Sequence, residues 1–145
     1  MEVTNDAVKP QVAAHWDRRA AHFDEDFGHR IRTPAERAAL DRIFELVLRD
    51  HAGLDALDVG CGTGFLTFEL AARGHRDTAV GFAPATLVEA RRKAAERSVT
   101  ARFEEADAET LPYAARSVGN ISTLRRRSPP GWPPPAIRAG ARTQG

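Results

Sequence analysis

Apolar positions fall along the chain in a readable order. Trp16, Ala20 and Phe23 recur at i, i+4 and i+7, predicting a short amphipathic helix that Phe27-Gly28 ends. Thr33-Pro34-Ala35-Glu36 has the chemistry of a helix start: Thr33 as N-cap, Pro34 in the first turn and Glu36 completing a capping box. Leu40, Ile43, Phe44, Val47 and Leu48 then follow at helical spacing as one apolar stripe, broken by Asp50 to Gly53. Leu54 to Val59 is a short apolar run between two glycines, with Asp55 as an interior acid, and predicts a buried strand. Phe65 to Arg73 predicts a helix stopped by Gly74, Thr78 to Phe82 a second strand, Pro84 to Arg97 a second helix of this type, and Thr100 to Glu104 a third strand. Strand and helix alternate, which predicts a Rossmann-like α/β fold: a partial parallel sheet flanked by helices. Beyond Tyr113 the pattern weakens. Ser117 to Leu124 predicts at most a weak strand, and the Pro/Arg-rich residues from about 125 onward predict a loose or disordered tail. The expected organisation is therefore a helical lead-in over 1–32, a partial Rossmann-like domain over 33–124, and a tail over 125–145.

Composition sharpens the boundary. The 145 residues carry a net charge of +1, but residues 1–113 hold 15 Lys and Arg against 20 acids, while residues 114–145 hold six Arg and no acid. Five of the nine prolines lie within Pro129–Pro135. Such a break marks a tail or a domain edge, so the bulk charge says nothing about partners. No apolar run approaches the ~20 residues of a membrane helix, and the first residues have neither the basic nor the apolar region of a secretory signal. A single cysteine, Cys61, forms no internal disulfide and no multi-cysteine metal site. A cytoplasmic protein without membrane contact is expected. Arg116 and Arg125-Arg126-Arg127 are the one basic feature, and they are expected to be solvated rather than to hold nucleic acid.

The chemistry concentrates in Leu57-Asp58-Val59-Gly60-Cys61-Gly62-Thr63-Gly64-Phe65. A buried strand runs through three glycines at every second position into a helix. Glycine permits positive φ and close approach of a ligand to the main chain, and the following helix directs free N–H groups at that ligand. In open α/β sheets ligands bind at the carboxyl ends of strands, where Asp58 places a carboxylate. Dinucleotide folds use G-x-G-x-x-G, and the G-x-G-x-G spacing here turns the reading away from NAD.

Asp58-Val59-Gly60-Cys61-Gly62-Thr63-Gly64 resembles the first motif of class I S-adenosylmethionine-dependent methyltransferases. Phe82-Ala83-Pro84 and the helix after it, Glu105 to Tyr113, and the lead-in Trp16 to Asp24 are also similar to that family, in its type 11 or ubiquinone-biosynthesis-like branch. The resemblance covers about residues 12–115 and is not specific for a substrate. It implies transfer of a methyl group from S-adenosylmethionine to a small-molecule acceptor. It implies that Asp58, Gly60, Cys61, Gly62 and Gly64 surround the methionine end of the cofactor, that Gly81 and Phe82 lie at the end of the second strand, and that Asp107 with the Ala108 backbone faces the adenine. Cys61 is expected to be a small buried filler, and the five histidines to be solvent-facing or lead-in residues. No metal site is expected. No general base can be selected from His15, His22 and Tyr113.

Two departures matter. The family places an acid at the end of the second strand for the ribose hydroxyls, and here the position holds Gly81, with Asp77 at the strand's opposite end. Weak cofactor binding is expected, strengthened by Gly81→Asp. The regular pattern also stops near the fourth strand, so a C-terminally truncated domain is expected. The switch to Arg and Pro without acids is what a shifted reading frame in a GC-rich gene would produce. The alternatives are a non-catalytic remnant, or a nucleotide-binding module of the same fold.

Overall fold

The computed structural model describes residues 5–25, 30–49 and 53–111, and the backbone of 123–125. Its elements are α1 (Asn5–Arg19), a 3₁₀ helix (Ala20–Glu25), α2 (Pro34–Leu48), β1 (Asp55–Val59), α3 (Phe65–Ala72), β2 (Arg76–Gly81), α4 (Pro84–Glu96), β3 (Arg102–Glu105) and β4 (Thr123–Arg125). The sheet order is β3-β2-β1-β4. β1, β2 and β3 are parallel, and Val59 lies opposite Val80 while Gly81 lies opposite Glu105. The three strand ends therefore come out at one edge.

Local chemistry explains the helix starts. At α2 the Glu36 N–H donates to Thr33 Oγ1 (3.1 Å) and the Thr33 N–H donates to Glu36 Oε2 (3.0 Å), the expected capping box. At α4 the N-cap position is Ala83, which has no capping side chain. The missing acceptor comes from the lead-in: the Ala85 N–H donates to Asp17 Oδ1 (2.8 Å).

Helices α3 and α4 share one face of the sheet. Phe68 of α3 packs with Ala79, Leu87, Ala90 and Phe103 in one cluster, and Leu70 packs with Phe44, Leu48, Leu54 and Ala56 in another. Two successive crossovers in the same direction put their helices on the same side. Leu57 and Val80, alternating with Ala56 and Ala79, form the core of the opposite face. Glu69 ties α2 to α3, accepting from both guanidinium nitrogens of Arg37 (2.7 and 2.8 Å) and from Arg73 (2.7 Å). The acid inside β1 is answered across the strands, with Asp55 paired to Arg76 at 2.6 Å.

Three expectations need correction, and the fourth strand gains a direction. The lead-in helix begins at Asn5, well before the apolar repeat, because its main anchors are polar. The stripe on α2 is only half used: Phe44 and Leu48 are buried, but Ile43 and Val47 are 55% and 60% exposed. One helix edge meets β1 and α3, and the other stays largely open. β4 is antiparallel to β1, pairing Ala56 with Leu124, an orientation that the weak-strand expectation over Ser117 to Leu124 left open. His75 is buried, not solvent-facing, because its Nδ1 accepts from the Leu54 N–H (3.2 Å); burial and then Arg73 lower its pKa, keeping it neutral. Tyr113, His29, His51 and the tail after Arg125 lie outside the described residues.

Candidate active site

The glycine loop leaves β1 pinned to β2. The N–H groups of Gly60 and Cys61 both donate to the Val80 carbonyl (2.9 and 3.0 Å), and the Gly64 N–H donates to the Cys61 carbonyl (2.9 Å). All three glycines have positive φ: +78° at Gly60, +53° at Gly62 and +92° at Gly64, the N-cap of α3. What surrounds them differs. A Cβ on Gly62 would lie 2.7 Å from the Phe23 ring, and one on Gly64 would lie 3.0 Å from the Phe68 ring. A Cβ on Gly60 would meet nothing within 4 Å, so its side of the loop faces open space.

The other predicted residues gather at this edge in different states. Asp58 is buried and accepts from Thr67 Oγ1 (2.9 Å), which directs it beneath α3. Cys61 is buried as expected, and burial, followed by the charges of Asp58 and Asp77, pushes its thiol pKa far up, which removes it as a nucleophile. Gly81 ends β2, and its carbonyl accepts from the Ala106 N–H (3.0 Å), bringing the β3 end alongside. A Cβ there would lie 2.9 Å from Leu87 Cδ2 and 3.4 Å from Cys61 Sγ. An acid at this position therefore requires Leu87 to move, a cost absent from the sequence expectation. Phe82 is half-buried and Ala108 is exposed. Asp107 Oδ1 accepts from the Glu109 N–H (2.9 Å), while Oδ2 pairs with Lys9 at 2.7 Å. Lys9 and then the Glu109 N–H hold the Asp107 carboxyl below its usual range.

The lead-in crosses this same edge. Lys9 reaches Asp107 and Glu109 (2.7 Å each), Asp17 caps α4, the Phe23 ring covers Gly62, and Asp24 Oδ1 accepts from Thr63 Oγ1 (2.5 Å) while Oδ2 pairs with Lys93. Burial raises the Asp24 pKa, but the bonds from Lys93 and Thr63 outweigh it and hold the acid ionised. Lys9 and Asp17 carried no signal in the apolar pattern, Phe23 appeared there only as one position of a helical repeat, and Asp24 appeared only within the family resemblance. His15 is exposed and stacks edge-on with Trp16, and His22 is exposed beside Glu25, so neither is aimed into the loop by a buried contact.

A glycine loop between a parallel strand and a helix, beside the ends of two further parallel strands, defines a Rossmann-like nucleoside-cofactor site. The fold and loop are those of class I S-adenosylmethionine-dependent methyltransferases. The family model described as a methyltransferase domain matches residues 56–128, half of the sequence, and the chain belongs to that family. It is 31% identical over 112 residues to a malonyl-(acyl-carrier protein) O-methyltransferase of Pectobacterium atrosepticum, covering 77% of this chain and 40% of that protein. It is 43% identical over 74 residues to a demethylmenaquinone methyltransferase of Deinococcus radiodurans, covering 50% and 31%. Among solved structures, the cyclase SpnF superposes with a TM-score of 0.56 at 26% identity, over 71% of this chain and 44% of that one. The chain thus spans less than half the length of these relatives. Among the described residues no helix is long and apolar enough to cross a membrane.

Proposed function

We propose that this chain binds S-adenosylmethionine at the glycine loop and, as part of a methyltransferase, presents its methyl group to a small-molecule acceptor. The observation that carries the reading is the open side of Gly60 at the carboxyl edge of the sheet. Gly60, the Cys61 backbone, Gly62 and Gly64 would line the methionine half, and Asp58 would hold the loop from below through Thr67. Asp107 and the Ala108 backbone would meet the adenine, since a carboxylate accepts from an exocyclic amine. Gly81 and Phe82 would flank the ribose without an acid for its hydroxyls. When bound, the cofactor supplies an electrophilic methyl group; the chain supplies alignment, which lowers the barrier by bringing donor and acceptor into near-attack geometry. The reading includes a cytoplasmic setting, resting on a single cysteine in the whole sequence.

Titration calorimetry of the full chain with S-adenosylhomocysteine tests the reading. Saturable binding that Gly60→Val abolishes is expected; no binding in the unmodified chain overturns it. A second reading, a nucleotide-binding module without transfer, is favoured by Gly81 and by the engagement of Asp107 with Lys9. It predicts cofactor binding with no labelled methyl passed to any acceptor.

A further inference from the structure

A cavity of about 220 Å³ opens between α3, α4 and the segment leading into α2, touching the glycine loop only at Thr63. Four cationic side chains line it: Arg30, Arg37, Lys93 and Arg97. Two acids answer them. Glu69 holds Arg37 through both nitrogens, and Asp24 holds Lys93. Arg97 lies over the Phe68 ring with its guanidinium carbon 4.6 Å from the centroid, an arrangement that orders the group while leaving its N–H donors to face a ligand. Neither Arg97 nor Arg30 makes an ion pair with any described residue. The lining therefore carries four cations against two acids, with Asp24 acting on both Lys93 and Arg97, and keeps this excess of positive charge beside an apolar wall of Phe65 and Phe68.

We propose that this cavity is a binding site for a phosphorylated small molecule with an apolar or aromatic body. A carboxylate would balance one of the two spare charges. A phosphate monoester carries about −1.5 to −2 at pH 7 and three acceptor oxygens, which matches two guanidiniums. Arginine pairs with phosphate through two parallel N–H bonds, and the phenylalanine wall takes the organic part. The proposal does not rest on the cofactor reading, since of the glycine loop only Thr63 lines the cavity and its cations come from α2, α4 and the segment before α2.

Calorimetric titration of the full chain with phenyl phosphate, inorganic phosphate and benzoate, at one ionic strength, tests it. Phenyl phosphate is expected to saturate the site, and both of the other probes to bind about tenfold more weakly. R30Q and R97Q should each weaken phenyl phosphate about tenfold. R92Q, on the same helix but paired with Glu89 and Glu96, should leave it unchanged. Circular dichroism checks each variant; if R97Q does not fold, R30Q on the opposite wall carries the comparison. The proposal is overturned by an absence of saturable binding, by benzoate or inorganic phosphate binding as tightly as phenyl phosphate, or by an equal loss in R92Q.

Discussion

Asp77 gives the sharpest test of the core. It lies in the middle layer at 1% exposure, opposite Ala56 on β1, and neither carboxylate oxygen has a hydrogen-bond partner among the described residues. Burial, and then the nearby charge of Asp58, pushes its pKa from 3.8 to about 8. An acid whose folded pKa lies above its unfolded value binds a proton more tightly when folded. Stability is thus greatest below the unfolded pKa and falls as pH rises from about 4 to about 8, then levels. A shift of about four units corresponds to an upper limit of about 6 kcal/mol, and relaxation with water entry reduces the expected figure to about 2–4 kcal/mol. Asp77→Asn keeps the shape and cannot ionise. Thermal melts followed by circular dichroism from pH 4.5 to 9 should show the two proteins nearly equal at the acid end. The variant should be more stable by about 5–15 °C at pH 9. Acids such as Asp24 and Asp107, whose pKa values are lowered, weaken both proteins as pH falls, so the difference between the curves is the quantity to read. Parallel curves across the whole range would refute the argument.

The other predictions concern the carboxyl edge. Lys9→Gln frees Asp107 and should tighten S-adenosylhomocysteine a few-fold by calorimetry while reducing the dependence on salt; weaker binding would show that Lys9 serves the ligand instead. Gly62→Ala, at φ +53° and against Phe23, should cost about 1–2 kcal/mol from backbone strain alone and expose the lead-in to protease, whereas Gly60→Ala should lose binding and keep its lead-in protected. Gly81→Asp alone should lower the melting point, by about 1–3 kcal/mol of overpacking against Leu87. Joined to Leu87→Val, it should bind cofactor about tenfold or more tighter than the unmodified chain; equal affinities would refute the ribose assignment.

Much of the frame was legible because local rules decide it. The capping box at Thr33 needs only residues within one turn, and α3 and α4 begin at the predicted Phe65 and Pro84 because a glycine and a proline fix those starts. The strands shifted by one to two residues at their ends, where pairing rather than pattern sets the limit. What stayed hidden depends on distance. Lys9 meets Asp107 and Asp17 meets Ala85 across most of the described chain, and polar pairs leave no period in the sequence. His75 and Asp77 look like surface residues by type, and only the three-dimensional layer shows that one is satisfied and the other is not.

The glycine motif itself reads differently once its neighbours are known. Three alternating glycines look like three positions cleared for a ligand. Two of them are cleared for the protein: Gly62 makes room for Phe23 of the lead-in, and Gly64 for Phe68 beneath α3. Of the three, Gly60 is the one whose Cβ direction opens on empty space, so Gly62 and Gly64 could meet a cofactor through their backbone alone. The lead-in is therefore part of the loop's architecture and not an appendage to it, since its ring fills one glycine's vacancy and its Asp24 holds the next residue, Thr63. Asp77 cannot stand in for the acid missing at Gly81. It sits four residues back along the strand, about 13 Å at ~3.3 Å per residue, with its carboxylate sealed under the helices. On the assignment proposed above, the adenine and methionine ends of the site would keep the residues the family resemblance implies, while the ribose between them would have none. Affinity for the cofactor would then have to come from the two ends, and at the first of these Asp107 is paired with Lys9.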